Sequence, residues 1–220
     1  MQKAKLQFKI DLHTHSIISP DGGIREFEYK KLLEEKILDC IAITDHNKID
    51  FAQKLQEKLG NSIIVGEEIT TKDGELIGLF LKKVIQAGMS ASETAKEIHE
   101  QGGLVYVPHP FETLRQGVQL EILENMTGEI DIIEVFNGRG KWRGKTNKAL
   151  EFAEKYGIVG AASSDAHGFK GIGKTYSVID ELPTRESLKK LLREGELEKV
   201  YAPIFAFLYP SINRIKNKIT

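Results

Sequence analysis

Along most of this chain a short apolar run is followed by a polar or glycine-rich stretch, and then by a segment whose apolar residues recur at three- and four-residue steps. Runs of four to eight apolar residues fit buried strands, and the 3.6-residue period marks helices that pack by one face. Strands are therefore predicted at 8–12, 40–44, 62–65, 76–81, 104–107, 130–136 and 158–162, and helices at 27–37, 49–59, 90–101, 118–126 and 145–156. Gly60, Gly102-Gly103 and Gly157 stop three of the helices, and Ser90 or Ser92 can cap the start of the second of these, with Glu93 in its first turn. Asp73-Gly74 is a tight turn, so the third and fourth strands can pair as a hairpin. Alternation of strand and helix predicts an α/β fold with a parallel sheet covered by helices, and seven strands favour a closed or nearly closed barrel.

After Pro183 the pattern changes to a helix at 186–193, an apolar stretch at 200–208 and a basic tail with Arg214, Lys216 and Lys218. The expected division is a barrel over 1–183 and a C-terminal helical segment over 184–220. Ile204, Phe205, Phe207 and Leu208 are expected to pack that segment on the barrel, with a homo-oligomer contact through it as the alternative.

Composition narrows the partners. With 31 basic and 32 acidic residues the formal net charge is −1, so no global basic field recruits nucleic acid or anionic lipid. Cys40 is the single cysteine, which rules out an intrachain disulfide, and its apolar neighbours predict a small buried hydrophobe. No apolar signal core follows Met1 and no stretch reaches the roughly 20 residues of a membrane span, so the expectation is a cytoplasmic protein without membrane contact.

The chemistry lies where strands end. Asp11-Leu12-His13-Thr14-His15-Ser16 closes the first strand, and in extended backbone residues two apart leave the same face, so His13 and His15 can aim at one ion. Asp11 shares their parity and could fix one histidine tautomer. Five of the 6 histidines (His13, His15, His46, His109 and His167) stand at or just past strand ends, joined there by Asp21, Asp45, Glu68, Glu134 and Asp165. In a parallel barrel those ends share one face. Imidazole and carboxylate without thiolate is a ligand set for catalytic Zn, Mn or Fe, and the number of donors suits two or three ions with Glu68 as a bridge. Of the adjacent pair Glu67 and Glu68, one can face the site, and Glu68 is chosen. His99 lies within a helix and is expected at the surface. Pro110 is expected to hold His109 on extended backbone.

Thr44-Asp45-His46, Gly66-Glu67-Glu68-Ile69, His109-Pro110 and Ser164-Asp165-Ala166-His167, taken in order with the opening Asp-Leu-His-Thr-His-Ser, resemble the motifs of the PHP (polymerase and histidinol phosphatase) metal-dependent phosphoesterases. The resemblance spans residues from about 8 to 180. It implies a distorted (β/α)7 TIM-like barrel and an enzyme that hydrolyses phosphate esters through a metal-bridging hydroxide. It further implies that His13, His15, Glu68 and Asp165 hold one ion, Glu68 and His109 a second, and Asp21, His46 and His167 a third. Where many members have a histidine after the glutamate motif and another ligand near the sixth strand, this chain has Glu75 and Glu134, either of which could complete the second site. Carboxylate there shifts preference toward Mn or Fe(II).

Arg115 and Arg139 are expected to clamp phosphate at the same face as His46 and His167, and Asn137 either holds a substrate hydroxyl or caps its loop. The expected substrate is a small phosphomonoester, a nucleotide or sugar phosphate. A nuclease acting on nucleic-acid ends is the second reading, disfavoured by the absence of a basic stripe and by few aromatics besides Trp142. A non-catalytic metal-binding module is the third.

Overall fold

A computed structural model describes residues 6–142 and 144–219, with side chains as far as Lys216; the Lys218 side chain lies outside the described residues. The elements follow in chain order: β1 (Phe8–Asp11), α1 (Glu26–Glu34), β2 (Cys40–Ile43), α2 (Asp50–Leu59), β3 (Ile63–Thr70), β4 (Glu75–Leu79), α3 (Ala91–Glu100) and β5 (Leu104–Val107). They continue with α4 (Leu120–Asn125), β6 (Ile132–Asn137), α5 (Thr146–Tyr156), β7 (Val159–Ser163), β8 (Tyr176–Ile179), α6 (Leu188–Glu194), β9 (Glu196–Glu198) and α7 (Tyr209–Ile219). Local chemistry accounts for several ends. Ser90 caps α3 by accepting from the Glu93 N–H while Glu93 reaches back to the Ser90 N–H, and Gly157 ends α5 in the left-handed conformation at φ 66°.

The strands form one sheet in the order β7-β6-β5-β4-β3-β2-β1-β8-β9. Pairs β1–β2, β2–β3, β5–β6 and β6–β7 are parallel, but β4 runs antiparallel to both neighbours because the turn at Asp73-Gly74 folds it straight back on β3. β8 and β9 were not legible in the sequence. β8 pairs antiparallel with β1, and its Ser177 hydroxyl lies 3.1 Å from the amide of Ala162 and 3.3 Å from its carbonyl, on β7. Beyond the strands, the His15 N–H donates to the Ala166 carbonyl at 2.9 Å, which draws the first and seventh strand ends together and nearly closes a TIM-like barrel.

Two apolar layers result. One lies between sheet and helices, with Ile41, Ile43, Val105, Val107 and Ile133 facing outward. The other fills the barrel with the alternate residues Ile10, Cys40, Ala42, Leu104, Tyr106 and Ile132, and is plugged by Leu188, Leu191 and Leu192 of α6. Several of these open their strands, so α6 forms the floor under the N-terminal ends. Cys40 is buried, its thiol is pushed up to about 12 by desolvation, and it plays the apolar part expected of it. At the opposite, C-terminal rim nearly every buried group is polar.

Candidate metal centre

Strand ends deliver the rim residues, and their geometry is compact. His13 Nε2 and His15 Nε2 are 3.1 Å apart; Glu68 Oε2 lies 3.5 and 3.2 Å from them, and Asp165 Oδ1 lies 3.7 and 3.6 Å away. Four donors bonded at about 2.1 Å to a common centre in tetrahedral arrangement sit about 3.4 Å from one another, a spacing that His13, His15 and Glu68 meet as one set able to hold a cation, with Asp165 Oδ1 beside both rings. Two ring nitrogens facing each other at that distance cannot both present bare lone pairs, so a proton or a cation must lie between them. Burial opposes a charge on His13, yet the carboxylates of Asp165, Glu68 and Glu134 hold its pKa well above the usual histidine range.

Around this core the other sequence-predicted residues gather. Asp21, His46 and His167 converge with His15 as a second set of donors: His167 Nε2 is 3.4 Å from Asp21 Oδ2, and His46 Nε2 is 3.6 Å from Asp21 Oδ1. His109 Nε2 contacts Glu68 Oε1 at 3.0 Å, and Glu75 lies 3.7 Å from His46 Nδ1 and 3.8 Å from His109 Nε2. Burial, with the charges of Glu68 and Asp165, pushes the Glu75 carboxyl up to about 9, a surplus of negative charge that cations would relieve. His167 is held down at about 3 by burial and by the positive charges of His15 and Arg139, so it is the neutral imidazole that a metal requires.

Glu134 stands apart from the converging atoms. One of its oxygens meets His13 Nδ1 at 3.2 Å and accepts from the Tyr106 hydroxyl at 2.9 Å; the other accepts from the His109 N–H at 2.6 Å and the Asn137 amide at 2.8 Å. It thereby fixes the His13 tautomer with Nε2 pointing at the site. Asp11 does not take that part: the chain leaves regular strand geometry after it, and its Oδ1 accepts instead from the main-chain N–H of Ser164 at 3.0 Å and of His13 at 3.3 Å. Asp45 neither orients His46 nor joins the cluster, because Ser16 occupies it through its N–H at 2.7 Å and its hydroxyl at 2.6 Å. Glu68 faces the cluster while Glu67 points the other way and accepts from the Ile85 N–H. His99 is partly exposed and pairs with Asp131 at 2.8 Å.

His109 is not extended. Pro110 disfavours right-handed helical angles, but the residue takes φ 28°, and Asp165 takes φ 52°, the sparsely populated region for side-chain-bearing residues. Both are held there by partners: His109 by Glu134 and Glu68, Asp165 by Asn137 and two arginines. Such strain clusters at functional sites.

Arg115 donates to both oxygens of Glu112, to Asn137 Oδ1 and to Asp165. Arg139 Nη1 lies 3.1 Å from Asp165 Oδ1 and 3.1 Å from His167 Nδ1, while its Nε has no partner among the described residues. Asn137 caps its loop, its Oδ1 accepting from the Arg139 N–H at 2.8 Å and from Arg115, and its amide donates to Glu134 and Asp165, so it offers no free group to a ligand. A cavity of about 250 Å³ opens above the cluster, lined among others by Asp21, His46, Glu75, Arg139 and His167.

The sequence reading missed the contribution of α7. Its Asn213 amide donates to the main-chain carbonyls of Asp21 and His167, each at 2.9 Å, and Arg214 reaches Asp21 Oδ2 at 2.8 Å. No local motif announces either residue, since their partner Asp21 lies more than 190 positions away in the chain.

Comparison with known proteins accords with this geometry. Residues 144–197 match the family model described as PHP-associated. An uncharacterised Methanocaldococcus jannaschii protein is 39% identical over 183 residues, covering 79% of this chain and 71% of its own length. A two-domain Bacteroides vulgatus protein, described as containing a predicted PHP-like metal-dependent phosphoesterase, superposes with a TM-score of 0.70 at 20% identity, over 95% of this chain and 70% of that one. The chain belongs to the PHP family. Its fold is the one found in proteins described as PHP-like metal-dependent phosphoesterases, and the donor clusters at its rim are those able to hold metal ions. The PHP barrel also underlies a lesion-specific endonuclease from Pyrococcus furiosus, which superposes with a TM-score of 0.66 at 14% identity, over 87% of this chain and 58% of that one.

Proposed function

We propose that this PHP protein hydrolyses a small phosphomonoester, a nucleotide or sugar phosphate, with two or three divalent ions held by His13, His15, Glu68 and Asp165, by Glu68, His109 and Glu75, and by Asp21, His46 and His167. Glu75 rather than Glu134 completes the second set, since both Glu134 oxygens are occupied behind His13. The observation that carries the substrate class is the small cavity of about 250 Å³ whose base is the donor cluster and whose walls carry guanidinium groups. It suits one phosphoryl group with a compact leaving group, and guanidinium pairs well with a dianionic terminal phosphate.

When bound, the ions would supply an activated water and positive charge facing the phosphoryl oxygens. The chain's own groups do the rest. Glu134 and Tyr106 keep His13 Nε2 turned to the centre, Asn137 and Arg115 fix the Asp165 carboxylate, and Arg139, which lines the cavity, brings its guanidinium charge to a phosphoryl oxygen. A nuclease is the second reading. Trp142 is exposed and packs at 5.0 Å on Phe207 beside Arg115 and Arg139, a platform on which a base could stack. No helix among the described residues is long and apolar enough to cross a membrane, and a cytoplasmic site of action, supported by the lone buried Cys40, belongs to the same reading.

The test is a screen of the purified protein, supplied separately with Mn, Fe(II) and Zn, against a phosphomonoester panel and a single-stranded oligonucleotide. Turnover of one or more monoesters with an inert oligonucleotide is expected. Cleavage of the oligonucleotide alone would transfer the assignment to the nuclease reading.

A further inference from the structure

A chain of 220 residues whose motifs end near His167 has no evident use at the rim for its last helix, yet α7 is anchored there. The Tyr209 ring lies against Gly168, where a Cβ would approach it to 2.8 Å, and the Asn213 amide ties together the carbonyls of Asp21 and His167. Asn213 is buried, and a side-chain amide that satisfies two carbonyls from separate loops fixes the helix in register. The next residue, Arg214, is thereby held over the cavity with its guanidinium on Asp21.

The three arginines of the cavity differ in what they have left to give. A guanidinium has five N–H donors. Arg115 spends four on Glu112, Asn137 and Asp165 and is nearly enclosed. Among the described residues Arg139 finds partners through Nη1 alone, and Arg214 has a hydrogen bond from Nη2 to Asp21 alone, while 62% of its side chain remains exposed. Arg139 touches His167 and Arg214 touches Asp21, so the two bracket the His167–Asp21 contact of 3.4 Å, which belongs to the donor set proposed for the third ion.

Resting on the phosphoesterase reading, we infer that Arg214, delivered by the C-terminal helix, is a specificity-determining residue that binds the substrate phosphate together with Arg139, and that Arg115 instead buttresses Asp165. The ligand class is a tetrahedral oxyanion carrying two negative charges, whose oxygens can take N–H groups from two guanidinium planes.

The experiment is a calorimetric titration of inorganic phosphate into the Mn-loaded full chain, with Mn content and melting temperature measured on the same samples. Arg214→Ala should weaken phosphate binding about tenfold or more, as expected for charge-assisted bonds, with Mn content and melting temperature unchanged. Arg214→Lys should recover part of the loss, and Ile215→Ala, an exposed neighbour on α7, should bind phosphate like the parent. Unchanged phosphate affinity in Arg214→Ala would overturn the inference. So would altered Mn content with unaltered phosphate binding, which would reduce Arg214 to a charge partner of Asp21. If the protein turns over no monoester but its phosphate binding still depends on Arg214, the functional reading fails while this assignment stands.

Discussion

The floor and the rim of the barrel are carried by the same strands and are equally shut off from water, yet they follow opposite rules. At the floor, Ile10, Cys40, Leu104, Ile132 and Val159 close around Leu188, Leu191 and Leu192, and the interior is hydrocarbon. A few residues further along those strands, His13, His15, Glu68, Asp165 and Glu134 are each at most 2% exposed, and the interior is almost wholly ionisable. Desolvation that stabilises the floor raises the energy of every charge at the rim. The rim tolerates it because His13, Arg115 and Arg139 set positive charge among the carboxylates, and because the strands of the floor leave it no freedom to relax. A buried polar cluster of that cost is retained for chemistry, and the apolar floor holds it in place.

The comparison breaks most sharply at Asp165. Asp165→Ala should lower turnover by about three orders of magnitude, because it removes a donor of the first ion and the partner of both Arg115 and Arg139. The fold should persist by circular dichroism, since the residue lies at the mouth and not among the packed layers. A comparable loss of melting temperature with near-normal turnover would make it a structural charge.

Leu188→Ala tests the other end. The side chain is fully buried in the floor, so the truncation should cost about 2–5 kcal/mol in denaturant unfolding while kcat per folded molecule stays within about twofold of the parent. Loss of turnover in the fully folded variant would show that floor and rim are coupled rather than merely stacked.

The smallest effect concerns Asp131, outside the floor, which accepts from Lys189 of α6 at 2.6 Å, from the Val105 N–H at 2.9 Å, and pairs with His99 of α3 at 2.8 Å. Burial works against its charge, but Lys189, His99 and the Val105 amide together lower its pKa below 3.8. A carboxyl depressed in the folded state contributes stability above its unfolded pKa and loses it as pH falls through the folded one. Asp131→Asn should therefore cost about 1 kcal/mol at pH 7, discounted for partial exposure, and the difference should shrink as pH drops below about 3.8. A difference independent of pH would assign the effect to shape instead of charge.

What could be read in advance follows from how local each cause is. Strands β1, β2, β5, β6 and β7 and the helices between them were legible because their period is written within ten residues, and Ser90 and Gly157 act within one turn. β8 was not, because the place of Tyr176–Ile179 is set by pairing with a strand over 160 positions earlier. At the rim, motif spacing brought forward the histidines and carboxylates that converge. It could not tell Glu75, which faces them, from Glu134, which stands behind His13, since both lie next to apolar strand residues and only the fold sets their direction. Arg214 escaped because nothing near it in sequence distinguishes it from the rest of a basic tail.

The account's central claim is that the buried rim is a metal centre that acts on phosphate esters, and the most direct measurement joins its two halves. Protein stripped with a chelator is titrated with Mn, and bound metal by elemental mass spectrometry and phosphomonoester turnover are read from the same samples. Turnover absent at zero metal and rising in step with the second or third bound equivalent is the predicted result. Full turnover by protein shown to be metal-free would contradict it.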